Sequence, residues 1–267
     1  MTTGLFYLLI GILGACIGSF LNVCIYRLPL GRSIFYPPSS CACCGKRIPW
    51  RHNVPILSWL WLKGRAACCG CKVDARYPLV EALTAAGITI LWIAYPWPLA
   101  VVYSLFFCGL VVGSCIDLDY LILPDEITLG GCVAGLVLSA LIPELQHAAS
   151  WQDGLLQSIL GLTVGALLLW SVAVVGKLVF RKEAMGMGDV KLMAAMGAFL
   201  GWQATLFTLA TASFIGTIGG LFILMRRRRK WGVELPFGPY LAIAAILWLL
   251  GGRLWMQRLI ESVYNAL

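Results

Sequence analysis

The feature that most narrows the choice of fold is a series of apolar runs, each roughly 16 to 25 residues long, separated by polar segments. A run of that length can cross a hydrocarbon core about 30 Å thick at about 1.5 Å per residue, the shorter ones only at a thinned site or inside a bundle. Of the 267 residues, 60% are apolar, which agrees with a membrane protein. Eight crossings are predicted: Leu5 to Tyr26, then runs centred near Ile88, Leu110, Gly135, Leu168, Ala195, Phe214 and Ile246, the run near Ala195 being short and rich in Met and Gly. The first run is too long, and too weakly flanked by N-terminal charge, to read as a cleavable signal peptide, so it is expected to stay in the mature protein. The expected fold class is an all-α polytopic membrane protein of about eight transmembrane helices. Residues 1–26 form the first helix, 27–78 a small zinc-ribbon-like insert, and 79–267 the membrane-embedded remainder.

Charge sets the orientation. Nine of the twenty basic residues lie between Arg27 and Arg76, four between Lys177 and Lys191, and five form the block Arg226, Arg227, Arg228, Arg229 and Lys230. The positive-inside rule assigns those three segments to the cytoplasm. The segment from Pro143 to Gly154 holds Glu144 and Asp153 but no Lys or Arg, and belongs on the opposite side. The net charge of +8 does not call for nucleic acid. The basic residues cluster beside membrane spans, where orientation and anionic lipid account for them. The expected location is a membrane crossed several times, with those three basic segments facing the cytoplasm.

Six of the eleven cysteines crowd the insert. Cys41 and Cys44 form one C-x-x-C, Cys68 and Cys71 another, with twenty-three residues between the pairs. Two such knuckles can place four thiolates around a tetrahedral ion, and a segment too short to bury a core can fold on that bonding. Zinc is the favoured ion, with Cys41, Cys44, Cys68 and Cys71 as ligands, although Cys43 and Cys69 can replace a neighbour by a one-residue slip. Disulfides are disfavoured because the loop is assigned to a reducing compartment. His52 lies between the pairs, but four thiolates already fill a closed site. Trp50, Trp59, Trp61, Pro49 and Pro55 suit a segment lying against the membrane interface. Cys16, Cys24, Cys108, Cys115 and Cys132 fall in apolar runs and read as small buried hydrophobes.

Two groups of acids sit where spans end on the cytoplasmic side. The first is CIDLDYLILPDEIT, with Asp117 ending the third span, Asp119 after it, and Asp125 and Glu126 behind Pro124. The second is EAMGMGDVKLM, with Asp189 starting the sixth span. A carboxylate at the membrane boundary is costly unless solvated, paired or protonated, so it marks function by default. Two of them within a few ångströms cannot both ionise readily and share one proton. That is the arrangement of an aspartyl protease, in which one partner takes a proton from water while the other donates to the scissile carbonyl. Gly186 and Gly188, flanking Met187, allow close backbone approach or positive φ beside Asp189; Asp189 is equally suited to cap a helix start. Pro236, Phe237, Gly238 and Pro239 loosen the start of the last span, either lining a cleft or beginning a helix.

Taken together these segments resemble the type IV prepilin peptidase family, also called prepilin leader peptidase with N-methyltransferase activity. The resemblance rests on GSFLNVCIYRLP from Gly18 to Pro29, the double C-x-x-C, RYPLVE from Arg76 to Glu81, IDLDYLILPDEIT, GMGDVK, and PFGPYLA from Pro236 to Ala242. It implies a G-x-G-D intramembrane aspartyl protease with Asp117 and Asp189 as the catalytic pair, Gly186, Gly188, Asp125, Pro236 and Gly238 supporting them, and residues 79–267 as the protease domain. The substrates it implies are prepilins or pseudopilins, cut after a glycine at the end of a short basic leader. Many members of the family then methylate the new N-terminus from S-adenosylmethionine, which makes the insert the methyltransferase region. No G-x-G-x-x-G loop follows a strand, and there is no room for a Rossmann methyltransferase domain, so a donor site has to come from the insert and adjacent spans. Gly64, Arg65, Trp61 and Glu81 are candidates by location. Asp119, Asp125, Glu126 and Glu183 can steer a basic leader, or can simply be solvated or paired with Lys182 and Lys191. Extra cysteines at 43 and 69 and a short lead-in to Cys41 depart from the family pattern and bear on the ligand set.

The rival readings are a peptidase without methylation, a proton- or cation-coupled transporter using Asp117 and Asp189 as carriers, and a scaffold docking partners through its insert. Against the transporter, no inverted repeat is visible and both acids sit at one face instead of the midplane.

Overall fold

The computed structural model describes residues 2–181, 185–227 and 236–264. Lys182, Glu183 and Arg228 to Lys230, which enter the charge arguments above, lie outside the described residues. Two compact units are present, residues 1–112 and 113–267, the division falling within one helix.

Helices occupy all eight places where apolar runs occur. In the first unit these are α1 (Thr2–Arg27) and α3 (Arg76–Ala94), with the short α2 (Leu57–Trp61) inside the insert. Helix α4 (Leu99–Tyr120) carries the division. The second unit continues with α5 (Asp125–Leu141), α6 (Trp151–Phe180), α7 (Met187–Leu200), α8 (Trp202–Arg227), α9 (Gly238–Leu247) and, after a π turn at Trp248–Gly252, α10 (Arg253–Tyr264). Among the described residues, six stretches are long and apolar enough to cross a membrane. The other two of the expected eight are α5, with 17 residues, and α7, with 14. Among the described residues the only β pairing consists of two isolated bridges in the insert.

Large apolar side chains such as Leu5, Leu9, Ile12 and Leu13 on α1, and Leu156, Leu160 and Leu167 on α6, are exposed. In lipid that exposure is harmless, and helices associate through close backbone packing instead. The sequence supplies small residues for it. On α1, Gly14 and Gly18 lie one helical turn apart, and a Cβ at Gly18 would stand 2.7 Å from the Cα of Glu81 on α3. On α6, Gly161 meets Gly197 of α7, and neither position has room for a side chain.

Helix α7 is the axis of the second unit. Val190 and every residue from Leu192 to Phe199 are buried, and α5, α6, α8 and α9 all pack on the helix. At about 1.5 Å per residue it is about 21 Å long, too short to cross alone, but a helix shielded by others need not meet lipid along its length. Its C-terminal end would leave carbonyls orphaned. The Ala198 carbonyl instead accepts from Ser158 Oγ (2.7 Å), Gln146 Nε2 (2.8 Å) and Ser139 Oγ (3.2 Å). Three segments thus pin that end, which fixes the register of the opposite end, where Asp189 stands.

Candidate active site

Both acidic groups lie in the second unit. Asp117 sits near the C-terminus of α4 and is only 5% exposed. The helix stops at Leu121, whose φ of 55° is left-handed, and Pro124 opens α5 from an extended conformation. Between them Leu123 lies against Gly113 and Gly188, its Cβ 3.0 Å from where a Cβ on Gly188 would stand. The α4–α5 turn therefore closes directly on the G-M-G-D segment. Gly186, the N-cap of α7, has an ordinary extended φ of −74°. The glycine character is used for close approach at Gly188, not for positive φ.

Asp189 lies in the first turn of α7, half-buried, near enough to Asp117 for their charges to interact. Asp117 has a further partner in the proline–glycine segment. The backbone N–H of Gly238 donates to Asp117 Oδ2 at 2.9 Å, and a Cβ there would lie 2.7 Å from the same oxygen. Only glycine lets the start of α9 come this close. With Pro239 in its first turn, α9 presents an orphan backbone donor to a carboxylate, a favourable meeting of a helix N-terminus and a negative charge. Asp125 Oδ1 accepts from Lys191 Nζ at 2.6 Å, joining α5 to α7 two residues beyond Asp189. Asp125 thus ties two elements together, and its charge is paired.

The first unit holds the insert. Two knuckles face each other, one closed by the Ser40–Arg47 bridge and the other by Arg65–Lys72. Their hydrogen bonds are in matching register: Gly45 N–H donates to the Cys41 carbonyl, and Gly70 N–H to the Ala66 carbonyl. Both glycines are left-handed, with φ near 70°. Cys69 before Gly70 is therefore the counterpart of Cys44 before Gly45, and Ala66 stands where the counterpart of Cys41 would be.

The sulfurs of Cys41, Cys44, Cys68 and Cys69 lie within 4.8 Å of one another. This cluster shares three members with the expected ligand set, with Cys69 in place of Cys71. The contacts are 3.3 Å for Cys44–Cys68 and 3.6 Å for Cys41–Cys69. Sulfurs bound tetrahedrally at about 2.3 Å from a zinc ion stand about 3.8 Å apart, so the four residues fit that ion. Backbone N–H groups of Cys44 and Cys43 hold the Cys41 thiol down to about 6, whereas hydrogen bonds to Cys44 and Cys41 push Cys68 up to about 12. A cation would replace the protons that the cluster shares. The repeated C-G dipeptide at 44–45 and 69–70 is the signal that points to Cys69.

A cavity of about 800 Å³ opens between the insert and helices α1 and α3. Of the four residues considered for a donor site, Arg65 and Glu81 line it, whereas Gly64 and Trp61 do not. Gly64, at φ 71°, accepts from Val73 N–H and packs under Trp59, a turn-forming role. His52 lines the cavity but is outside the sulfur cluster. One feature the sequence does not announce is a γ-turn at Ile56. Its φ of 61° and ψ of −53° are strained for a β-branched residue, and Leu57 N–H closes the turn onto the Pro55 carbonyl at 2.6 Å. The freed Ile56 N–H donates to Glu81 Oε2 at 2.7 Å.

An apolar helical bundle with carboxylates at its helix ends, and a cysteine-clustered N-terminal unit, define a multi-pass membrane protein. The chain belongs to the type IV leader peptidase family. The model of that family matches residues 104–221, and that of the bacterial peptidase A24 N-terminal domain matches residues 12–95. Among similar proteins are the prepilin leader peptidase/N-methyltransferases of Aeromonas salmonicida, 38% identical over 91% of both chains, and of Pseudomonas putida, 37% identical over 93% of this chain and 92% of that one. That of Dickeya chrysanthemi is 37% identical over 90% of this chain and 92% of its own. No solved structure matches significantly.

Proposed function

We propose that the chain is an intramembrane aspartyl endopeptidase of the bacterial inner membrane, which removes the short basic leader of type IV prepilins or pseudopilins at the cytoplasmic side, after glycine. The observation that carries this reading is the buried Asp117 carboxylate held by the Gly238 N–H, with Asp189 within reach of its charge. One carboxylate takes a proton from a water molecule as it attacks the scissile carbonyl. The other, protonated, donates to the carbonyl oxygen and stabilises the charge that develops there. The two titrate as a pair, so the roles belong to the pair and not to either residue. The Gly238 N–H fixes the orientation of the Asp117 carboxylate, and the Asp125–Lys191 contact holds α5 against α7 beside the pair. Gly186 adds no side chain beside Asp189, and Gly188 lets Leu123 pack against the start of α7.

N-methylation of the newly exposed N-terminus follows in this reading, supported by the names of the relatives. S-adenosylmethionine, when bound, supplies an electrophilic methyl group on a sulfonium. The chain's task is to hold that donor and a deprotonated amine in line and to exclude water. Zinc on Cys41, Cys44, Cys68 and Cys69 has a structural part, joining two knuckles that have no apolar core of their own.

The test is purified chain in detergent with a prepilin, read by product mass. Asp117→Asn and Asp189→Asn should each abolish loss of the leader. Retained cleavage in either variant would remove the aspartyl mechanism.

A further inference from the structure

Zinc on Cys41, Cys44, Cys68 and Cys69 leaves two cysteines of the insert without a metal role, Cys43 and Cys71. Their places follow from the knuckles. Cys43 stands between two ligands of the first knuckle, and Cys71 directly follows the left-handed Gly70 of the second. The contacts Cys44–Cys68 at 3.3 Å and Cys41–Cys69 at 3.6 Å hold the knuckles face to face. The two spare thiols, 28 positions apart in the chain, are thereby brought near enough to interact: Cys71 meets Cys43 across the gap and Cys69 on its own knuckle. Both line the cavity, Cys43 exposed and Cys71 half-buried, so a small solute reaches the pair. A cysteine kept only as a small hydrophobe is ordinarily buried, which Cys43 is not.

We propose that Cys43 and Cys71 form an oxidation site, joined into a disulfide by a peroxide while the four-sulfur ion stays bound. The pairing rests on the zinc assignment above. The Cys43 sulfur, the more accessible of the two, attacks one oxygen of hydrogen peroxide; the O–O bond breaks, a sulfenic acid forms and water leaves. The Cys71 sulfur then attacks the sulfenic sulfur, the S–O bond breaks, and the hydroxyl departs as water with the Cys71 proton. Two thiols lose two electrons and two protons, and one peroxide becomes two waters. An accessible thiol beside a second one that resolves it is the usual form of a redox-sensing pair. In a reducing compartment thiol exchange opens the bond again once the oxidant is spent. The physical consequence is a second tie between the knuckles. In the reduced insert the ion holds the two knuckles together, whereas in the oxidised insert a covalent bond does so as well and restricts the unfolded segment. The oxidised insert therefore keeps its order when the metal is taken away.

The experiment treats the zinc-loaded full chain in detergent with hydrogen peroxide, blocks the remaining thiols and maps the digest without reduction, counting zinc before and after. The expected result is an unchanged zinc content, a mass loss of two hydrogens, and a link between Cys43 and Cys71 that is missing from Cys43→Ser and from Cys71→Ser. On addition of a chelator, hydrogen–deuterium exchange across residues 39–75 should rise in the reduced chain and stay near its zinc-loaded level in the oxidised one. Links confined to Cys41, Cys44, Cys68 or Cys69 with loss of zinc, or Cys43 carried to sulfinic acid with no link, would overturn the site and leave the zinc assignment standing. Two ions per chain before oxidation would make Cys43 and Cys71 ligands, and no ion at all would remove the assignment on which the pair rests; either result ends the proposal.

Discussion

Asp117 depends on its neighbours as much as on its own chemistry. Its carboxylate is set by a single backbone N–H from a residue 121 positions away, and that residue is glycine because a Cβ would collide with the oxygen it serves. Gly238→Ala should therefore lower leader cleavage by about a hundredfold through displacement of the carboxylate, with the chain still folded and extractable. Steady-state cleavage rates beside a circular dichroism spectrum check this. Under the proposed mechanism, in which the two act as one unit, substitution of either aspartate by asparagine should cost at least about a thousandfold. In sequence, Asp117 and Asp189 stand out because carboxylates are rare at span ends. The Gly238 contact is signalled only as a proline–glycine irregularity, since a partner so far along the chain leaves no periodic trace. Ile56 gives no sign at all: nothing in N-V-P-I-L marks a γ-turn, and the Glu81 carboxylate that accepts its N–H lies 25 positions away.

At the level of elements, the knuckles and the helices obey different rules. The knuckles are legible through C-x-x-C spacing, but the spacing pairs Cys68 with Cys71, whereas the hairpin register selects Cys69. Backbone hydrogen bonds, and the left-handed glycine after each knuckle, decide which sulfurs turn inward. Cys69→Ser should therefore lower zinc stoichiometry in the purified chain, and Cys71→Ser should leave it near one ion per chain; metal analysis separates the two. Because a bound thiolate must shed its proton, metal should be lost as pH falls, with protons reclaiming the sulfurs. Removing the metal with a chelator should raise hydrogen–deuterium exchange across residues 39–75 and leave α5 to α7 protected. The helices were legible as apolar runs in all eight places, yet length alone did not say which are sheltered. Helix α7 became short because Gly186 starts it and Gly201, at φ 82°, ends it, and its neighbours supply the cover that lipid would otherwise have to provide.

For the whole molecule, two units answer to two kinds of chemistry, the first with sulfur, a charged cavity and short turns, the second with a helical bundle around one buried helix. That division follows from composition: six clustered cysteines and nine basic residues fall before Arg76 or at it, and the candidate catalytic acids fall after Leu110. Helix α7 has a consequence for how freely this protein can change. A helix enclosed on all sides has no face on which a bulkier residue can be accommodated, and its backbone touches α6 at paired glycines. In a saturation-substitution library scored for pilin maturation, positions 192–199 should tolerate the fewest replacements of any eight-residue stretch, while the lipid-facing positions of α1 and α6 accept nearly any apolar residue. Variation in such a lineage would accumulate at the periphery of the bundle, and its centre would drift last.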